Sequence, residues 1–202
     1  MKVQWNELSP DAIRRAVQAK YEQVATRPGR KHPFPVGRAF AERLGYPEEV
    51  LAGLPGVVTE SFTGVSIPIS LAGLHAGEAV LELGSGGGLD AILAAREVGP
   101  SGRVTGLDMA PTMVEKARAS SEALGLENTQ FVQGHAEDLP FPDIHFDAVL
   151  VNGILNLCPD KRQVLAEMFR VLRPGGRAII AEIVLERDLP AAEIRTLEDW
   201  FR

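Results

Sequence analysis

The residues 79–90, Ala-Val-Leu-Glu-Leu-Gly-Ser-Gly-Gly-Gly-Leu-Asp, set an acid, Glu82, inside an apolar run and follow it with glycines at alternate positions, Gly84, Gly86 and Gly88. A backbone free of side chains turns sharply and lets a ligand approach closely, and the first free N–H groups of a following helix offer themselves to its polar groups. The arrangement is that of a nucleotide-cofactor cradle, with Gly84, Ser85 and Gly86 against the ligand. Gly86-x-Gly88-x-x-Ala91 also satisfies the dinucleotide fingerprint, and Asp108 lies at about the distance of its ribose acid. Charge separates the two chemistries, because a carboxylate at Glu82 repels a pyrophosphate and welcomes an ammonium.

Other polar residues fall at the ends of apolar runs. Asp108, in Gly106-Leu107-Asp108-Met109, could accept both hydroxyls of a ribose, or hold the N-terminus of the helix that opens near Ala110. In His135-Ala136-Glu137-Asp138 the Ala136 N–H and a polar neighbour, His135 or Glu137, could read the edge of an adenine whose faces Met109 covers. Asn152 closes the series. No residue is assigned a catalytic role: His32, His75 and His145 fall outside this constellation, and a general base is optional where the electrophile is already activated.

These residues need a scaffold that gathers strand ends. The sequence predicts strands at Ala79–Leu83, Arg103–Asp108, Thr129–Gln133, Phe146–Asn152 and Arg177–Leu185. Between them it predicts helices at Leu89–Val98, Pro111–Leu124 and Asp160–Leu172, the last with Val164, Leu165, Met168, Val171 and Leu172 on one face. Strands apolar on both sides and joined by helical crossovers make a parallel sheet covered on both faces, wound outward in both directions from the first strand. Ligands of such sheets sit beyond the carboxyl ends of the strands, where the winding reverses. Glu82, Asp108, Ala136 and Asn152 all belong to that rim. Ahead of the sheet, Ser9-Pro10 opens a helix with Ile13, Val17, Tyr21 and Val24 along one side.

Composition narrows the classes. With 202 residues, 45 % of them hydrophobic, the chain can bury one good core beside an N-terminal extension. A formal charge of −6 argues against nucleic acid as a partner, and the basic cluster around Arg27, Arg30, Lys31 and Arg38 reads as a solvated loop. No apolar run is long enough to span a bilayer and the first residues lack a secretory apolar core, so a cytoplasmic protein is expected. One cysteine, Cys158, leaves no intramolecular disulfide and no metal-binding cluster.

Taken in order, Leu81–Gly88, Gly106–Met109, Gly134–Pro140, Phe146–Val149 and Arg170–Gly176 resemble the successive motifs of class I S-adenosylmethionine-dependent methyltransferases. Within that superfamily, Ser61–Val65, Val98-Gly99-Pro100, Asp108–Met113 and Asn156–Lys161 resemble the arsenite methyltransferase branch. The resemblance implies a Rossmann-like α/β fold, S-adenosylmethionine as cofactor and a small-molecule acceptor such as a metalloid, a thiol or another small nucleophile; a protein that binds S-adenosylmethionine without turnover is the alternative reading. It implies that Tyr21 approaches the methionine end of the cofactor and that residues 1–75, with Thr63, Gly64 and Ser66 as a lid, carry substrate identity, leaving residues 76–202 as the cofactor domain. The branch holds trivalent arsenic on several thiolates, whereas Gly153 occupies one such position and residues 61–68 contain no cysteine. Full class I enzymes add a sixth and seventh strand; neither is expected here, where only a short helix is expected from about Pro190, as in a piece of a longer protein or in a short form of the fold. The fifth strand is then an edge that pairs with a second copy or is covered by the N-terminal segment.

Overall fold

The computed structural model describes residues 9–184 and 186. Helix α1, Pro10–Thr26, is capped by Ser9, whose side chain accepts the Ala12 N–H. Four short helices follow: α2 (Arg38–Leu44), α3 (Glu48–Ala52), α4 (Gly56–Glu60) and α5 (Ile69–Ala72). The remainder alternates as β1 (Ala79–Leu83), α6 (Leu89–Val98), β2 (Arg103–Asp108), α7 (Pro111–Ala123), β3 (Thr129–Gln133), β4 (Phe146–Asn152), α8 (Lys161–Val171) and β5 (Leu172–Ala181).

Every pairing is parallel, and the sheet order is β3-β2-β1-β4-β5. The winding reverses between β1 and β4, as the alternation of strand and helix requires. Val80, Val104, Ala148 and Leu150 pack on one face with Ala91, Ala94 and Val98 of α6. Leu81, Leu83, Val149 and Val151 pack on the other with Val164, Met168 and Val171 of α8. Strand alternation therefore turns Glu82 to the same side as Val80, toward α6.

Three expectations are corrected. β5 begins at Leu172, five residues before Arg177, because α8 stops at Val171 and Leu172 already pairs with Phe146. The next pairing joins Ala148 to Arg177, so residues 173–176 form an irregularity inside the strand rather than a turn before it. The strand ends at Ala181, since its partner β4 ends at Asn152. On α8, Leu165 faces solvent: the buried stripe is Val164, Glu167, Met168 and Val171, and Leu165 is turned about 100° away from Val164. Among the described residues β5 pairs only with β4. Leu185 and the helix expected from about Pro190 lie outside the described residues.

The N-terminal helices pack over the strand ends. α1 lies on α7, and Arg14, Gln18 and Glu22, spaced four apart on one stripe, reach Glu137 (3.2 Å), the Met109 carbonyl (3.0 Å) and the Thr112 N–H (3.1 Å). Val58 and Phe62 share a cluster with Leu89 and Ile92 of α6. No helix among the described residues is long and apolar enough to cross a membrane.

Candidate active site

Between these helices and the carboxyl rim of the sheet lies a partly open cavity, whose empty space, including the part open to solvent, is about 870 Å³. Tyr21, Glu82, Gly84, Ser85, Gly86, Asp108, Met109, Ala136 and Asn152 line it. His135 and Glu137 do not: backbone alternation beyond β3 turns Gly134 and Ala136 inward, leaving the His135 side chain exposed, while Glu137 is engaged by Arg14. Phe62, Thr63 and Gly64 also line it, together with Ile154, Leu157 and Cys158 from beyond β4, Ile154 lying against Gly84.

The glycine turn owes its shape to β2. The N–H groups of Gly84 and Ser85 both donate to the Leu107 carbonyl, at 2.8 and 3.0 Å. Gly84 has φ +71°, and a β-carbon there would overlap the Ile154 side chain. Gly86 has φ +50° with nothing within 4 Å of where a β-carbon would stand, so its missing side chain is cavity space.

Three buried acids face this region. Glu82 is 3 % exposed and accepts the Ala91 N–H, and its Oε2 has no hydrogen-bond partner. Burial, then the nearby Asp90 and Asp108, push its carboxyl well above the usual range. Asp108 accepts the Gly86 N–H on Oδ2 and the Ala110 N–H on Oδ1, both at 2.8 Å, and burial raises its pKa to about 6. It thus joins the local backbone role to a place in the cavity wall. Asp90, which spacing alone does not single out, is also raised to about 6 by burial; its Oδ1 accepts the Tyr46 hydroxyl at 2.7 Å and its Oδ2 the Asn152 amide at 2.9 Å. The signal available for Asp90 is an acid in the first turn of a helix whose first seven residues are otherwise apolar, whereas nothing around Tyr46 in the sequence marks it.

Asn152 lines the cavity, but its amide is already engaged, with Oδ1 accepting the Val65 N–H and Nδ2 donating to Asp90 and the Ser66 carbonyl. The Tyr21 hydroxyl shares a hydrogen bond with Thr63, and burial followed by the charge of Asp108 raises its pKa. Cys158 donates its thiol to the Ile154 carbonyl, and burial pushes the thiol up to about 12, which keeps it protonated at neutral pH.

The profile of a family described as "Methyltransferase domain" matches residues 74–202, which contain the whole sheet and its strand-end acids. The chain belongs to this family. The arsenite methyltransferase of Halobacterium salinarum is 41 % identical over 150 residues, spanning 74 % of this chain and 38 % of that protein. The demethylmenaquinone methyltransferase of Listeria welshimeri is 45 % identical over 86 residues, 43 % of this chain and 36 % of that protein. Among solved structures, an arsenic(III) S-adenosylmethionine methyltransferase from Chlamydomonas reinhardtii superposes with a TM-score of 0.61 at 37 % identity, over 78 % of this chain and 53 % of that one. The chain spans less than half the length of these curated relatives.

The family and these neighbours make S-adenosylmethionine its cofactor. The cavity fits that group on three counts: an unpartnered buried carboxylate oxygen at Glu82 for an ammonium, Asp108 for a sugar, and Leu107, Met109, Met113 and Ala136 as apolar lining for a base.

Proposed function

We propose that the chain transfers a methyl group from S-adenosylmethionine to a small-molecule acceptor by in-line displacement. The observation that carries this reading is the unpartnered Glu82 Oε2, buried in the same cavity that Asp108 lines. A buried anion without a partner is costly, and a cationic group of the ligand removes that cost. In this reading Glu82 holds the ammonium, Asp108 the ribose hydroxyls, the Gly84–Gly86 turn the backbone of the methionine moiety, and Met109 and the Ala136 N–H the adenine. His135 and Glu137 border the adenine end from outside the cavity, and Tyr21 and Asn152 flank the methionine end.

When bound, S-adenosylmethionine supplies a methyl carbon already activated by its sulfonium, so alignment rather than acid–base chemistry governs the rate. Correct alignment in a water-poor site is worth up to about 7–11 kcal/mol of barrier. Residues 61–64 and Tyr21 exclude water and orient the acceptor, and residues 1–75 as a whole serve as lid and substrate region. The relatives named above act on arsenite and on demethylmenaquinone. With a single, protonated thiol in the cavity wall, this site suits a lone nucleophile better than a chelated soft metalloid.

The reading also takes the protein as cytoplasmic, independent of nucleic acid and membranes, and assembled with a second copy through the edge of β5 that no other described strand pairs. Calorimetric titration with S-adenosylhomocysteine tests the core of it. Micromolar binding by the wild type that falls roughly 10- to 100-fold in Glu82→Gln, the loss of one charge-assisted hydrogen bond, supports the assignment; equal binding by both overturns it. Turnover screens with arsenite, small thiols and quinols then distinguish the acceptors.

A further inference from the structure

Asp90 is 2 % exposed and sits one residue inside α6, directly after the glycine turn. As a carboxylate it can only accept, and it accepts from Tyr46 Oη and Asn152 Nδ2. That choice fixes which way the Asn152 amide faces. With Nδ2 spent on Asp90 and, through its second proton, on the Ser66 carbonyl at 3.0 Å, Oδ1 is left for the N–H groups of Val65 at 2.8 Å and Ser66 at 3.2 Å. Both amide protons and the amide oxygen of Asn152 are thereby engaged.

The held segment is the cavity wall. Gly64 follows Thr63 against the cavity, and a β-carbon on Gly64 would stand 2.5 Å from Asn152 Nδ2 and 2.7 Å from Phe62, so its backbone rests directly on the amide. Thr63 in turn bonds Tyr21, which carries the order across to α1. A side chain without an acceptor at position 90 would free the Asn152 amide to turn over and set its NH₂ against the Val65 and Ser66 N–H groups, donor against donor.

We propose that Asp90 is a positioning residue for methyl transfer: by dictating the orientation of the Asn152 amide it locks residues 63–66 against the acceptor side of the cavity. The word acceptor rests on the methyl-transfer reading; the lock does not. Asp90 touches the cavity, but its two oxygens serve protein groups, in contrast to Glu82.

The test uses the full chain, with and without S-adenosylhomocysteine, and reads amide hydrogen exchange at Val65 and Ser66 by NMR beside calorimetric affinity. In Asp90→Leu, of nearly the same shape but without an acceptor, we expect exchange at both amides to rise at least tenfold, in the free and the loaded protein. Asp90→Asn keeps one oxygen to accept from Asn152 Nδ2 and turns its NH₂ to the Tyr46 oxygen, so it holds protection within about threefold of wild type. The two variants fill the same space, so a difference between them reports the acceptor and not the packing. Unchanged protection in a folded Asp90→Leu variant, or an equal loss in Asp90→Asn, overturns the proposal.

A measurement on the wild type needs no variant to fold. The groups facing Asp90 are Tyr46 and Asn152 at hydrogen-bond distance and the Glu82 carboxyl from β1. On acidification the Asn152 side-chain NH₂ and the Val65 and Ser66 amides shift together with the Asp90 carboxyl carbon; separate titrations overturn the lock. Absence of S-adenosylhomocysteine binding by the wild type refutes the methyl-transfer reading, while the exchange data on the free protein still decide the lock.

Discussion

Asp108 Oδ2 accepts the Gly86 N–H at 2.8 Å, so the acid that ends β2 holds the turn that leaves β1. Its other oxygen holds Ala110 at the start of α7. One carboxylate therefore shapes two of the strand-end loops that make the cavity. Asp108→Asn keeps the shape and supplies one acceptor where two are used, pressing an NH₂ against one backbone N–H. We expect a stability loss of about 1–3 kcal/mol, the cost of a buried unsatisfied group, and weaker binding of S-adenosylhomocysteine. Denaturant unfolding and calorimetry check both; unaltered stability contradicts the double role.

The raised carboxyls set a pH dependence opposite to that of ordinary surface acids. Asp108 and Asp90 move from 3.8 to about 6 on folding, so between those values the folded chain binds more protons than the unfolded one. Stability from these groups is complete below about 4 and is lost as pH rises through about 6. Glu78 and Glu167 run the other way: Arg177 and Arg170 lower them, and their contribution disappears as pH falls below the usual carboxylate range. The free protein should melt highest near pH 5, with a melting temperature that declines toward pH 7. S-adenosylhomocysteine, whose ammonium and ribose favour the ionised acids, binds more tightly as pH rises over the same interval and moves the optimum toward neutrality. A melting temperature of the free protein that climbs steadily from pH 5 to 7 contradicts the assignment.

The elements and the strand-end acids were legible because each carries a local signature. Glu82 and Gly84–Gly88 combine an apolar run with residues that permit positive φ, and Asp108 ends a strand just before a proline-led helix. β5 was misjudged because Pro174-Gly175-Gly176 reads as a stop, whereas pairing with β4 overrides that local preference and absorbs the glycines as an irregularity. His135 and Glu137 flank Ala136 in a loop, which has no fixed period from which to tell inward from outward. Tyr46 and Asp90 meet across 44 positions of sequence, and nothing local to either residue announces such a contact.

Cys158 offers a chemical check on the acceptor. Its thiol is buried, engaged with the Ile154 carbonyl and raised to about 12, whereas a metal- or metalloid-binding cysteine is a thiolate. Iodoacetamide at pH 8 should therefore modify the native protein at least tenfold more slowly than the urea-unfolded chain. Cys158→Ser is expected to leave S-adenosylhomocysteine affinity within about threefold of wild type. Rapid native alkylation, or protection by arsenite at micromolar concentration, would restore a thiolate site.

The two glycines of the turn separate folding from binding. Gly84→Ala suffers both a left-handed φ of +71° and overlap with Ile154, so it loses about 1–2 kcal/mol to backbone conformation and about 1–3 kcal/mol more to overpacking. Gly86→Ala suffers the first cost alone, since its new methyl meets nothing within 4 Å. That methyl stands in the cavity, however, where the ligand backbone must come close. The expected pattern is a strongly destabilised Gly84→Ala beside a Gly86→Ala that loses only the backbone cost of about 1–2 kcal/mol and binds S-adenosylhomocysteine at least tenfold more weakly. Melting curves and titrations on the two proteins read it directly, and full affinity in Gly86→Ala would place the ligand away from the glycine turn.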